Sequence, residues 1–372
     1  MSVGDGAEAA EVPPTLLYVG CGGAAGDGPD QLVVVEAAAE AVAVRQRLVL
    51  PYAADGIAQV ARVGARRLLL VGARSSRLYV VAADIPDRPE IVRVVEPEAL
   101  GRHCGLSGPH SAVVLPDGHI LVSMVADRRG GPHGGFAVLH GGDFDLLGRW
   151  DEVPAAFRPG ALAMSPHHAN VVVGSWSDPQ DQGGAALCAW GTKDRRPGEV
   201  QALGSGSGPV ALAGQWAAAR GAVWPWMLGT SGLELAAAEP VASGSQNPPD
   251  LAQASPGGSA WVAAGGGVAG PLRAGTELGD GAGPPNACEH LHLPGGTAWR
   301  LAVSPDARWL YATAAGHPAW DGSDLGSWLW AVEVGTPAGG DPQRGPRRQW
   351  RCAPGAGPRA WPRAVWVVDP EG

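Results

Sequence analysis

Short apolar runs alternate with Gly- and Pro-rich turns along the whole chain. Four segments share one shape: a small or apolar residue, Pro, a short polar turn, then an apolar run. They are Leu115-Pro116-Asp117-Gly118 before HILVS, Ser165-Pro166-His167-His168 before ANVVVGSW, Ser255-Pro256-Gly257-Gly258 before SAWVAA and Ser304-Pro305-Asp306-Ala307 before RWLYATA. Their prolines are 50, 90 and 49 residues apart. A weaker copy, Gln215-Trp216-Ala217-Ala218 before RGAVWPW, divides the long gap. Pro presets φ at the entry of a turn, and Asp or Gly suits the positions after it. Each copy therefore reads as strand, tight turn, strand. Units of ~40–50 residues built from several short strands mark the blades of a propeller.

Further units are expected at RRLLLVG (Arg66–Gly72), at RAVWVVD (Arg363–Asp369) and at LLYVG near the start. The last two are expected to meet in one shared blade and close the ring. Six visible units plus this closure predict an all-β, seven-bladed propeller; a pair of β-sandwiches or a solenoid is the alternative. The one helix-like stretch, VVVEAAAEAVAV (Val33–Val44), reads better as two strands around a turn. Residues 1–14 are expected to be disordered and residues 15–372 to form a single domain.

Composition narrows the function. The 372 residues carry a net charge of -9 and a pI near 5.6, with a single lysine, Lys193. Phosphate binding needs clustered Lys and Arg, so a nucleic-acid partner is not expected. The five cysteines, Cys21, Cys104, Cys188, Cys288 and Cys352, are scattered and form no CxxC, which argues against a disulfide framework or a thiolate zinc site. A reducing compartment, the cytoplasm, is the expectation. The opening MSVGDGAEAAEVPP has no apolar core and is not read as a signal peptide, and no apolar stretch of ~20 residues predicts a membrane span. The 15 Trp recur inside the expected strands and should fill space between blades. Gly20-Cys21-Gly22-Gly23 and GSGSG (Gly204–Gly208) lack the G-x-G-x-x-G pattern of a dinucleotide loop.

Between about Leu68 and Glu152 four stretches carry a likeness: VGARSSRLYVVAAD (Val71–Asp84), VVEPEAL (Val94–Leu100), GPHSAVVLPDGHILVSMVAD (Gly108–Asp127) and HGGFAVLHGGDFDLLGRWDE (His133–Glu152). LLYVGC (Leu16–Cys21), SPHHANVVVGSW and HPAWDGSDL (His317–Leu325) add weaker matches. On these residues the chain resembles the selenium-binding protein / methanethiol oxidase family. The resemblance implies a propeller, and oxidation of a small thiol, methanethiol, to hydrogen sulfide, formaldehyde and hydrogen peroxide. It also implies copper held by histidines in the central channel, where a redox metal supplies the one-electron steps that O₂ needs.

The same resemblance shows where histidines are missing. Ala58 and Gln59 stand where the family has paired His, Arg62 and Ala65 where it has Trp and Cys. Val113 and Val114 replace a His and a Cys, and GGGVAGPLRAG (Gly265–Gly275) has lost its His. His110 is kept, in Gly108-Pro109-His110, and His168 keeps the family's Pro-x-His. These two are the candidate metal ligands; the plain alternative is a loop His bonded to backbone and a His that orders a turn. A His103–Cys104 pair could lower a thiol pKa. Glu289-His290-x-His292 reads as an exposed loop able to take a metal, and His119, His133, His140 and His317 read as surface residues. An enzyme acting on a small thiol and a non-catalytic scaffold for a protein partner both follow from this pattern.

Overall fold

The computed structural model describes residues 15–22, 29–38, 41–53, 55–150, 152–154, 157–165, 167–176, 184–203, 209–213, 215–219, 222–229, 232–235, 239–240, 251–253, 260–264, 267–272, 289–292, 297–304, 306–315, 327–334, 349–352 and 361–367. Side chains are described for these up to 235, except 53 and 229, and for 300–304, 306–313, 329–332, 334, 365 and 367.

The described strands fall into seven antiparallel sheets, six of four strands and one of five. One end strand of each is the inner one. Ile57–Gly64, Leu106–Val114, Pro159–Met164, Ala211–Ala213, Leu251–Gln253, Thr297–Val303 and Trp361–Val367 each lie against the next, and the last lies against the first. The architecture is a β-propeller. Its closing sheet joins residues from both ends of the chain, as the sequence predicts: Trp361–Val367 pairs with Thr15–Gly22, with Val19 opposite Val365 and Tyr18 opposite Trp366. Radial repetition leaves each sheet only a short outer edge.

The repeat is visible in the backbone. Gly118 N–H donates to the Leu115 carbonyl at 2.9 Å, His168 N–H to Ser165 at 2.8 Å and Ala307 N–H to Ser304 at 2.9 Å. In all three the fourth residue is left-handed, with φ of 81, 55 and 56. A turn followed by a left-handed residue is the usual three-residue hairpin connection. In two copies the leading Ser adds a bond, its Oγ accepting from Asn170 N–H at 3.1 Å and from Trp309 N–H at 2.8 Å. The turn expected at Ser255–Gly258 lies outside the described residues, as do residues 1–14.

Val33–Val44 is two strands, Pro29–Ala37 and Val42–Ala53, paired antiparallel as expected. The sequence reading missed a short helix, Pro97–His103. Pro97 supplies the fixed φ at its start, Glu98 and Arg102 suit its dipole, and buried Leu100 ties it to the core. Glu289–His292, read as a loop, is a strand paired with Gly267–Leu272.

Apolar clusters lie between sheets rather than at one centre. Leu69, Val71 and Val80 of one sheet meet Ile120, Val122 and Ala137 of the next. Leu121, Phe136 and Trp150 meet Val171, Cys188 and Trp190. Trp190 takes Phe136 edge-on at 5.1 Å and Phe157 at 5.5 Å. Trp thus fills space between blades, where a wide ring spans two twisted sheets.

Candidate functional site where the inner strands begin

His110 sits on the inner strand Leu106–Val114 at a break in its ladder. Pairing with Ile120–Asp127 shifts between Pro109 and Ser111, just after Gly108 with φ 64. Such bulges re-aim a side chain. The imidazole packs on Trp176, ring centroids 4.7 Å apart and planes inclined by 54°. Its Nδ1 is buried and has no hydrogen-bond partner. The ring bonds to the Gly160 backbone, so that bond runs through Nε2–H to the carbonyl and leaves Nδ1 with a lone pair. The Gly160 carbonyl also accepts from Ser123 Oγ, and Ser123 Oγ accepts from Ser111 N–H at 3.0 Å.

Burial pushes the His110 pKa down to about 4; the Arg300 charge works the same way, and the Gly160 bond works against both. The residue as a whole keeps some exposure, but Nδ1 itself is closed to solvent, and it is the ring atoms that titrate. His110 is therefore neutral at pH 7. Arg300 lies on Thr297–Val303, across the ring from His110's sheet.

The same end holds a buried acidic cluster. Asp55, just before Ile57–Gly64, accepts from Tyr79 Oη at 2.5 Å and faces Arg77 at 3.5 Å. Arg77 also bonds Glu96 at 2.9 Å and lies 3.8 Å over the Tyr52 ring. Burial, then the bond to Asp55, pushes the Tyr79 pKa far up. Asp30 accepts the amides of Gly56 and Ile57 at 2.7 and 3.2 Å. Ser76 Oγ accepts from Gly108 N–H at 2.9 Å, which ties this cluster to the His110 strand.

His168, the second candidate ligand, lies in an exposed hairpin turn in the left-handed conformation. Its carbonyl accepts from Thr192 Oγ1. The structure places it apart from His110 and gathers no group of three His, Cys, Asp or Glu able to hold a metal among the described residues. Gln59, standing where the resemblance expects His, accepts from Ala112 N–H at 2.7 Å and so ties two inner strands. Val113 and Val114 pack against the apolar clusters. The lone pair of His110 could serve copper as one ligand, but the described residues do not supply the rest, and Arg300 adds positive charge nearby. The described residues do not fit that metal.

The His103–Cys104 pair is not an activated thiol. His103 is exposed, while Cys104 is buried and donates to the Gly148 carbonyl at 3.2 Å; burial pushes its pKa up, and Arg149 opposes this only in part. His133 is exposed, and His317 lies outside the described residues. Sequence reasoning missed Arg300. The available signal was a lone cation inside the apolar run TAWRLAV, directly before a Ser-Pro turn.

Residues 52–184 match the family model described as 56kDa selenium binding protein (SBP56), a little over a third of the chain. A methanethiol oxidase from Bos taurus is 36% identical over 115 residues, 30% of this chain and 24% of that protein. Selenium-binding protein 2 from Arabidopsis thaliana is 31% identical over 153 residues, 37% of this chain and 31% of that protein. The chain thus spans about a quarter to a third of the length of these relatives. Among solved structures, a hypothetical selenium-binding protein from Sulfolobus tokodaii superposes with a TM-score of 0.71 at 18% identity, over 96% of this chain and 94% of that one. The periplasmic gluconolactonase of Pseudomonas aeruginosa superposes at 0.64 and 16% identity, over 96% and 99%. At such identities these two show the propeller fold alone. No described helix is long and apolar enough to cross a membrane.

Proposed function

On residues 52–184, which match the 56kDa selenium binding protein family, we propose a thiol-handling function for this chain. Its substrate class is a small alkyl thiol such as methanethiol, held at His110. One observation carries the reading: a buried Nδ1 lone pair without a partner, beside an aromatic ring. A thiol S–H is a donor that can satisfy that lone pair, and the Trp176 face suits the methyl group.

The charge state fixes the role of His110. Even a thiol as acidic as cysteine, of pKa about 8.5, gives up its proton to an imidazole of about 4 with an equilibrium constant of order 10⁻⁴ to 10⁻⁵, and a simple alkyl thiol is a weaker acid still. His110 therefore accepts a hydrogen bond and orients the sulfur; it is not the base. The kinship supports oxidation of the bound thiol: methanethiol, O₂ and water give formaldehyde, hydrogen sulfide and hydrogen peroxide.

A second reading, a scaffold that binds without converting, is favoured by the absence of a three-ligand group among the described residues. One experiment separates them. Purified chain is given methanethiol with and without added copper(II), and hydrogen sulfide release is followed beside thiol binding. Release that disappears in His110→Ala supports the enzyme. Binding without release, lost in the same variant, supports the scaffold. Wild-type binding that His110→Ala leaves unchanged overturns the site itself.

A further inference from the structure

The opposite end of the sheet that carries His110 holds two histidines that the thiol reading does not use. His119 follows the Leu115–Gly118 turn, and His140 follows the strand Gly135–Leu139. The two turns are neighbours because Gly141 lies against the Gly118 carbonyl, where a Cβ would not fit. The ring centroids are 5.9 Å apart, with planes inclined by 55°.

Each ring is oriented by a carboxylate at Nδ1. His119 Nδ1 is 3.0 Å from Asp117 Oδ2, and His140 Nδ1 is 2.9 Å from Asp143 Oδ1. Each carboxylate is itself held by backbone: Asp117 accepts from His119 N–H at 3.1 Å, and Asp143 from Asp145 N–H at 3.0 Å. A carboxylate at Nδ1 fixes the proton there and leaves Nε2 as the lone pair. No described residue hydrogen-bonds to either Nε2. This is how metal-binding imidazoles are supported from behind. Metal–nitrogen bonds of about 2.0–2.1 Å place the centroids of two rings on one ion roughly 5–6.5 Å apart, which brackets the separation found.

We propose that His119 and His140 form a binding site for a borderline divalent cation such as zinc(II), with Asp117 and Asp143 as positioning residues. Imidazole nitrogen suits such ions. With no third protein ligand among the described residues, water fills the remaining positions, so binding is reversible rather than structural. The two aspartates balance the charge of the ion. Arg93, beside Asp143, is engaged by Asp145 and by the Asp143 carbonyl; the Arg195 charge acts on Asp117. The site stands independently of the thiol reading.

The test is zinc(II) titration of the full chain by calorimetry at neutral pH, in the His110→Ala background so that the other end contributes nothing. One equivalent should bind. His119→Ala and His140→Ala should each weaken it by more than tenfold, and Asp117→Asn and Asp143→Asn by roughly tenfold, the usual cost of removing a supporting carboxylate. Thermal unfolding of each variant checks that these exposed turns leave the fold intact. Copper(II) as a second probe should show hyperfine coupling to two nitrogens in its electron paramagnetic resonance spectrum, falling to one in either histidine variant. No zinc binding below about 1 mM, or binding unchanged in both histidine variants, overturns the proposal.

Discussion

Where the inner strands begin, the ring buries its polar groups; at the opposite end the hairpin turns leave the same residue types in water. Asp55 is 0% exposed and shared between Tyr79 and Arg77, whereas Asp143 is 58% exposed and holds His140. His110 loses its proton to burial, with its pKa near 4, while His119 and His140 keep carboxylate partners in water. At Asp117 burial opposes ionisation, but the His119 amide and ring outweigh it and lower the pKa; at Asp143 the Asp145 amide and then the His140 ring do so. Environment, not residue type, sets which imidazole is buried without a carboxylate and which leans on one.

The contrast is broken most severely at Asp55. Asp55→Ala leaves the Tyr79 hydroxyl and Arg77 without their buried acceptor, and should cost about 3–5 kcal/mol of unfolding free energy in urea titration. A loss under about 1 kcal/mol would mean that water already reaches this cluster.

His110 is the next largest effect, and its sign follows from the depressed pKa. The unfolded chain takes up the imidazole proton near pH 6.5, whereas the folded chain does so only near 4. Its contribution is therefore complete above about pH 6.5, is lost as the pH falls toward about 4, and levels off below that. The expected loss is about 2–3 kcal/mol. Unfolding curves at stepped pH should show a slope in this window that His110→Gln removes; parallel curves would place the ring in water.

The smallest effect belongs to the hairpin end. Arg93→Ala removes an exposed pair with Asp145 and should change stability by less than about 1 kcal/mol, shrinking further in salt. A larger change would show that the hairpin end is as closed as the other.

Much of the ring is legible in the sequence. Leu115–Gly118, Ser165–His168 and Ser304–Ala307 announce their turns because Pro fixes φ and the following residues tolerate a tight reversal, all of it local. The closing pair of Thr15–Gly22 with Trp361–Val367 was readable from two unpartnered apolar runs. The helix Pro97–His103 was not, since seven residues hardly establish a helical period. At the site, His110 and Trp176 stand in the motifs Gly108-Pro109-His110 and SPHHANVVVGSW, but Arg300 stands in none, because its meaning depends on facing His110 from another blade.

What the sequence determined alone was a chain of strands and turns repeated at a near-constant interval, and a stretch, residues 52–184, that matches the 56kDa selenium binding protein family model. Both are carried by residues close together along the chain. Tertiary structure decided which histidines have partners. His110 and Gly160 are fifty residues apart in sequence, and Arg300 is farther still. Only the closing of the ring brings a backbone carbonyl and a distant charge to one imidazole, and only burial there takes away its proton.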